Sequence, residues 1–222
     1  MTPATQEIYD YYDLTFERGG WQRLRATFHR EIAGALAPER IAPYALFLGM
    51  IGFHNDEAVA MTVRSGSQPR TFVWDDRGPV GRKLAVREVR VTTLAPTVRP
   101  LDSTPPAEDG VYAHRWFWIE PGDWDEFLAL SEDGIWPFLE SDGCRIVGLW
   151  EAAQTEAAPL RELLLITRYP SVAHWERTRM QSADPPPGAD AALYARALAA
   201  GRKRAPLTQR TIVRLCLLVP PP

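Results

Sequence analysis

Val111-Tyr-Ala-His-Arg-Trp-Phe-Trp-Ile119, followed by Glu120-Pro-Gly-Asp-Trp124, is the stretch that decides the fold. Nine residues rich in aromatic and apolar side chains, stopped by Pro-Gly, predict a strand, a turn and a helix opened by Trp124. Successive strand residues face opposite sides. One face therefore carries Val111, Ala113, Arg115, Phe117 and Ile119. The other carries Tyr112, His114, Trp116 and Trp118. A sheet face that meets water should be polar. Neither face here is, so both are expected to be covered.

A shift of about 103 positions, taken as the repeat spacing, lays Leu14-Thr-Phe-Glu-Arg-Gly-Gly-Trp21 on Phe117-Trp-Ile-Glu-Pro-Gly-Asp-Trp124. Glu17 falls on Glu120, Gly19 on Gly122 and Trp21 on Trp124. Each segment is an aromatic strand, a glycine turn and a tryptophan at a helix start. The helices agree. Trp21, Leu24, Phe28, Ile32, Ala35 and Leu36 form one apolar stripe, and Trp124, Phe127, Leu128, Ile135, Phe138 and Leu139 form another. Gly134 is expected to loosen the second helix, and Pro137 to start a second piece.

Hairpins come after both helices. Residues 44–53 and 58–64 are predicted strands around the His54-Asn-Asp-Glu57 turn, and residues 145–151 and 160–169 form the later pair. Ser171 is placed as the N-cap of a helix reaching Met180, residues 190–203 form an Ala-rich helix, and residues 208–218 a last strand. Residues 85–96 supply the corresponding strand of the first copy. Its second helix is expected to be short or irregular, because Gly78, Pro79 and Gly81 interrupt it. Each copy reads β-α-β-β-α-β, the ferredoxin-like order. The fold class is α+β: two ferredoxin-like repeats, residues 1–100 and 111–222, joined by a linker at 101–110. Their antiparallel sheets are expected to pack face to face as an α/β barrel around a small-molecule pocket.

Composition narrows the function. A net charge of −3 and a pI near 5.9 leave no basic surface for nucleic acid. The run Arg202-Lys203-Arg204 is short and reads as a solvated helix end that offsets the helix dipole. No apolar stretch approaches the roughly 20 residues of a membrane helix. With no leader-like start and two cysteines, Cys144 and Cys216, read as small buried hydrophobes, the expectation is a cytoplasmic protein.

The segment Val111–Gly122 resembles the opening strand and turn of NIPSNAP domains. Ile146-Val-Gly-Leu-Trp150 is similar to their Gly-x-Trp strand, and residues 163–177 to their strand, tyrosine, turn and helix segment. The resemblance covers about residues 111–180 and extends to the wider dimeric α/β-barrel superfamily. It implies the fold and little chemistry, since that superfamily includes monooxygenases, polyketide cyclases, lactone isomerases and haem enzymes. No superfamily catalytic residue maps onto a position of this chain.

The candidate catalytic residues are His114, Tyr11 and Asp13; the candidate substrate-binding residues are Tyr9, Tyr12, Arg115, Trp116 and Trp118. Histidine exchanges protons near neutral pH. Arginine holds a carboxylate or enolate oxygen. Aromatic rings stack on a planar substrate. His114 and Arg115 face opposite ways, so a regular strand cannot aim both at one pocket. The alternatives are a buried His114 satisfied by a backbone carbonyl, Arg115 in a structural ion pair, the tyrosines and tryptophans as aromatic core, and Asp13 as a surface carboxylate near the strand end. No metal-ligand spacing and no phosphate loop are present. The expectation is thus an enzyme of specialised metabolism that needs no cofactor and performs acid–base chemistry such as cyclisation, isomerisation or oxygenation. A non-catalytic binding or assembly module is the second reading. A haem protein with His174 as axial ligand is the third. The expected partner is a small-molecule ligand, with a homodimer as a further option and neither nucleic acid nor membrane.

Overall fold

In a computed structural model, the structure describes residues 7–19, 24, 32–66, 74, 78–153 and 158–220. The chain divides into two compact units: residues 1–109 with 214–222, and residues 110–213.

The first unit holds strands β1 (Glu7–Phe16), β2 (Ala42–Ile51), β3 (Glu57–Ser65) and β4 (Val86–Arg99). Their order is β4-β1-β3-β2, with β1 antiparallel to both neighbours. The first and third strands are inner and the second and fourth outer, as the ferredoxin-like order requires. The expected helix from Trp21 lies largely outside the described residues; within its expected range they hold α1 (Ala33–Leu36). The second helix is the short α2 (Pro79–Leu84), in keeping with the glycines and proline around it. Tyr12, Leu14 and Phe16 join Leu36, Trp74 and Leu84 in one apolar core, where the Tyr12 and Trp74 rings stand 5.7 Å apart. Asp10 is fully buried, and its carboxylate accepts from Arg64 at 2.7 Å and Thr93 at 2.8 Å. Burial of a charge without such partners would be costly.

The second unit holds β5 (Val111–Ile119), β6 (Arg145–Ala152), β7 (Arg161–Tyr169) and the start of β8 (Thr208–Leu218), in the order β8-β5-β7-β6. Strands β5 and β7 are antiparallel, with Val111 opposite Tyr169, Ala113 opposite Thr167 and Arg115 opposite Leu165. The end of β8 belongs to the first unit, where Leu217 pairs with Leu48 and Cys216 with Gly49 of β2.

The helix opened by Trp124 has three parts: α3 (Trp124–Ala129), a π-helical segment (Leu130–Ile135) and α4 (Trp136–Ser141). The widening falls where Gly134 and Pro137 were expected to disturb the helix. Helix α5 (Val172–Arg177) is capped by Ser171, whose Oγ accepts from the His174 amide at 3.1 Å. Helix α6 (Ala191–Arg204) is capped by Asp190, which accepts from the amides of Ala192 and Leu193 at 2.9 Å. A Cβ on Gly134 would overlap the Ala200 methyl, so the bare glycine lets α6 lie directly on the π-helical segment. No described helix is long and apolar enough to cross a membrane.

Candidate functional site

In a two-layer α+β unit the sheet face under the helices is normally the driest and most apolar surface. Here that face carries polar side chains. Arg115 on β5, Thr167 and Tyr169 on β7 and Thr211 on β8 line a cavity of about 340 Å³ within residues 110–213. Strand alternation places Arg115 beside Ala113 on the same face, and antiparallel register sets Thr167 opposite Ala113. The helices close the other side. Trp136 and Leu139 come from α4, Trp175 from α5, Arg179 from the turn after it, and Arg204 from the last residue of α6.

Three arginines therefore line the cavity, and among the described residues that line it there is no aspartate or glutamate. Burial pushes Arg204 well below the ordinary guanidinium range, and the charge of Arg115 adds to that. Burial lowers Arg115 as well; Arg179 lowers it further, while Tyr169 works the other way. Two like charges close together disfavour each other. The same burial pushes the Tyr169 phenol up to about 12, so at neutral pH it is an uncharged hydroxyl. The cavity is thus a positive, partly apolar space with no counter-charge among the described residues that line it.

Arg204 is held from several sides. Its Nη1 donates to Ser131 Oγ at 2.9 Å, and Ser131 Oγ donates to the Phe127 carbonyl at 2.7 Å. The guanidinium carbon lies 5.1 Å from the ring centres of Phe117 and Phe127. Cation–π contact of this kind holds the group without neutralising it. Arg179 stacks on Trp175 at 5.1 Å.

Only one of the sequence-derived candidates, Arg115, lines this cavity. His114, one residue earlier, is fully buried on the opposite face with Tyr112, Trp116 and the half-buried Trp118, whose ring lies 4.7 Å from the Arg210 guanidinium carbon. Tyr9, Tyr11, Tyr12 and Asp13 belong to the first unit. Tyr9 packs edge-on against Tyr44 at 5.0 Å, and Tyr12 lies in the apolar core. Tyr11 and Asp13 are brought together by Arg214, whose Nη2 is 2.9 Å from the Tyr11 hydroxyl and 2.7 Å from Asp13 Oδ1. A smaller cavity of about 210 Å³ adjoins this group, lined also by Glu57, Glu88 and Arg90.

Arg204, Tyr169, Arg179, Trp136 and Trp175 were absent from the sequence-derived set. Arg204 belongs to the basic run expected to be a solvated helix end; the structure turns it inward. A signal for the cavity was present in β7, where Leu165, Thr167 and Tyr169 share a face and two of the three are polar.

No family model and no curated protein matches the chain. Solved structures do. An anthrone oxidase-like protein aligns over 97% of this chain and 92% of its own, with 16% identity and a TM-score of 0.64. A chlorite dismutase from Candidatus Nitrospira defluvii aligns over 96% and 90%, with 12% identity and a TM-score of 0.59. A protein assigned as a monooxygenase from Lactobacillus acidophilus NCFM aligns over 96% and 94%, with 10% identity and a TM-score of 0.57.

These neighbours overturn the expectation that no cofactor is used, because chlorite dismutases are haem-dependent and share the fold. The cavity of residues 110–213 does not itself fit a haem iron. Haem iron is held by imidazole, thiolate, thioether or phenolate. Among the described residues lining the cavity there is neither histidine nor cysteine, Tyr169 is kept as a neutral phenol, and Met180 is the one remaining ligand type. The His174 ring is engaged elsewhere, with Nε2 3.1 Å from Asp142 Oδ2 and Nδ1 3.2 Å from Arg177 Nη2. At these identities the likeness is one of fold alone: the chain shares the architecture of these solved structures, and each of its units has the ferredoxin-like strand order.

Proposed function

We propose that this protein is an enzyme that takes a planar, ionisable organic molecule into the cavity of residues 110–213, binds it as its anion and commits it to oxygenase-type chemistry. The observation that carries this reading is the cavity lined by Arg115, Arg179 and Arg204 with no carboxylate among the described residues that line it. A guanidinium aimed at an oxygen that gains charge lowers the cost of forming that charge, and does so most where water is scarce. An enolate, phenolate or carboxylate supplies the missing counter-charge. Trp136 and Trp175 offer flat apolar walls for its ring system, and Tyr169 offers a neutral hydroxyl that donates a hydrogen bond to a bound oxygen. The names of the anthrone oxidase-like and monooxygenase neighbours support the reaction type. The NIPSNAP resemblance of residues 111–180 and the matching strand orders of the two units support a duplicated, ligand-binding relative of that superfamily.

The test uses 2-naphthoate as probe and tryptophan fluorescence as readout. The wild type is expected to bind it in preference to the neutral 2-naphthamide. Arg115→Ala is expected to weaken 2-naphthoate binding by roughly 10- to 100-fold, the worth of one hydrogen bond to a charged group. A coloured nitrophenol, monitored by absorbance, is expected to ionise at a pH about one to three units lower when bound. Equal binding of the acid and the amide, or an unshifted phenol, removes the reading.

A second reading places proton transfer at Asp13 and Tyr11, because Arg214 gathers both beside a cavity. Here His114 serves as a core residue. Once a turnover assay exists, Asp13→Asn separates the two: loss of activity with 2-naphthoate binding intact favours the Asp13 site.

A further inference from the structure

We infer that Ser131 is the positioning residue that makes Arg204 the charge-reading group of the cavity, so that the π-helical segment sets the preference for an ionised ligand over its neutral isostere. The inference rests on the anion reading above and adds the element that enforces it.

An arginine side chain has many rotamers and loses considerable freedom when fixed. Arg204 is the last residue of α6, where the backbone alone does little to direct a long side chain. Its direction is set by contacts. Ser131 is buried, and its hydroxyl oxygen accepts a hydrogen bond from Arg204 Nη1–H while its O–H donates one to the Phe127 carbonyl. That carbonyl, four residues back, fixes the hydroxyl rotamer, so an oxygen lone pair is presented to the guanidinium. Phe117 and Phe127 flank the same guanidinium. Two aromatic rings and one neutral oxygen orient the charge without neutralising it. An acid at position 131 would orient Arg204 equally well and abolish its attraction for a ligand.

The π-helical segment explains how a serine comes to stand there. A π turn adds a residue to the helix and rotates the turns beyond it; such irregularities recur at functional sites. Residues 130–135 form this turn, Ser131 lies within it, and Gly134 lets α6 approach so that Arg204 arrives over Ser131. Ile135 and Trp136, at its end, face the cavity. One local irregularity thus places the anchor of the charge and part of the apolar wall.

The experiment compares the affinities for 2-naphthoate and 2-naphthamide in the full chain carrying Ser131→Ala, Ser131→Thr or Arg204→Ala. Alanine favours helix, so Ser131→Ala is expected to keep the fold, which circular dichroism and the thermal midpoint report. It is expected to reduce the acid-over-amide preference by about tenfold, leaving the amide affinity unchanged. Threonine, whose hydroxyl makes the same bond to the carbonyl four residues back, is expected to restore much of the preference. Arg204→Ala is expected to lose at least as much as Ser131→Ala. An unchanged preference in Ser131→Ala, alongside a loss in Arg204→Ala, overturns the role of Ser131 and leaves the anion reading standing. A wild type that shows no preference overturns the anion reading itself. A fall in amide affinity equal to that in acid affinity marks Ser131 as merely structural and also overturns the inference.

Discussion

The burial of a group decides what its chemistry can be, and the two cysteines illustrate this in the opposite sense to the arginines. Both are buried, and neither is in a disulfide. Burial pushes the Cys144 thiol up to about 12 and raises Cys216 well above its ordinary range. The thiolate is the reactive form, so neither is a nucleophile in the folded protein. We expect no labelling by iodoacetamide at pH 8 in the native state and labelling of both in urea, read by mass spectrometry. Stability should depend on pH in the same sense. Their folded-state values lie above the unfolded value of about 8.5, so the stability they contribute is fully present below that pH and declines as pH rises toward 12. The urea midpoint should fall between about pH 8 and pH 10.5, and less steeply in Cys216→Ala. At this scale the sequence was legible for the cysteines, whose flanking residues are strand-like and apolar. It was misleading for Arg204, because three consecutive basic residues look alike until the packing of the helix is known.

The helix opened by Trp124 and the helix ending at Arg204 approach most tightly where the bare α-carbon of Gly134 lies under the Ala200 methyl. Adding a methyl to Gly134 must push the two apart, and overpacking of this kind costs about 1 to 3 kcal/mol. Gly134→Ala is therefore expected to lower the thermal midpoint and to weaken 2-naphthoate binding, because α6 carries Arg204. Adding Ala200→Gly should recover part of both, and the double-mutant cycle measures the coupling. The strands were the most legible elements. The aromatic run 111–119 ends where a Pro-Gly turn forces it to, and the hairpin strands fall within about two residues of their expected ends. The disturbance at Gly134 was legible as weakness; that it would be a π turn was not, since hydrophobic spacing at three and four is satisfied by either geometry. The polar face of β7 was legible too. Thr167 and Tyr169 alternate onto the helix-covered side, and a polar pair there has no reason to exist over a filled core.

For the whole molecule, the ferredoxin-like strand order could be read from element sequence alone, because the split β-α-β arrangement rests on right-handed crossovers and leaves few choices. Where the ligand goes could not. The aromatic faces of β1 and β5 drew attention to His114, Trp116 and Trp118, whereas the cavity of residues 110–213 opens on the side of Arg115. Strand periodicity states which residues travel together and not which company has space beside it. The last strand carries a practical consequence. Its residues 208–213 serve one unit, and its residues 214–218 complete the edge of the other beside Phe47–Ile51. A gene cut after codon 109 therefore yields a product missing a border that the tail would have supplied. Bare backbone donors and acceptors at such a border recruit other chains. Fragment 1–109 should precipitate or oligomerise on size-exclusion chromatography, and a synthetic peptide of residues 213–220 added during refolding should rescue some of it.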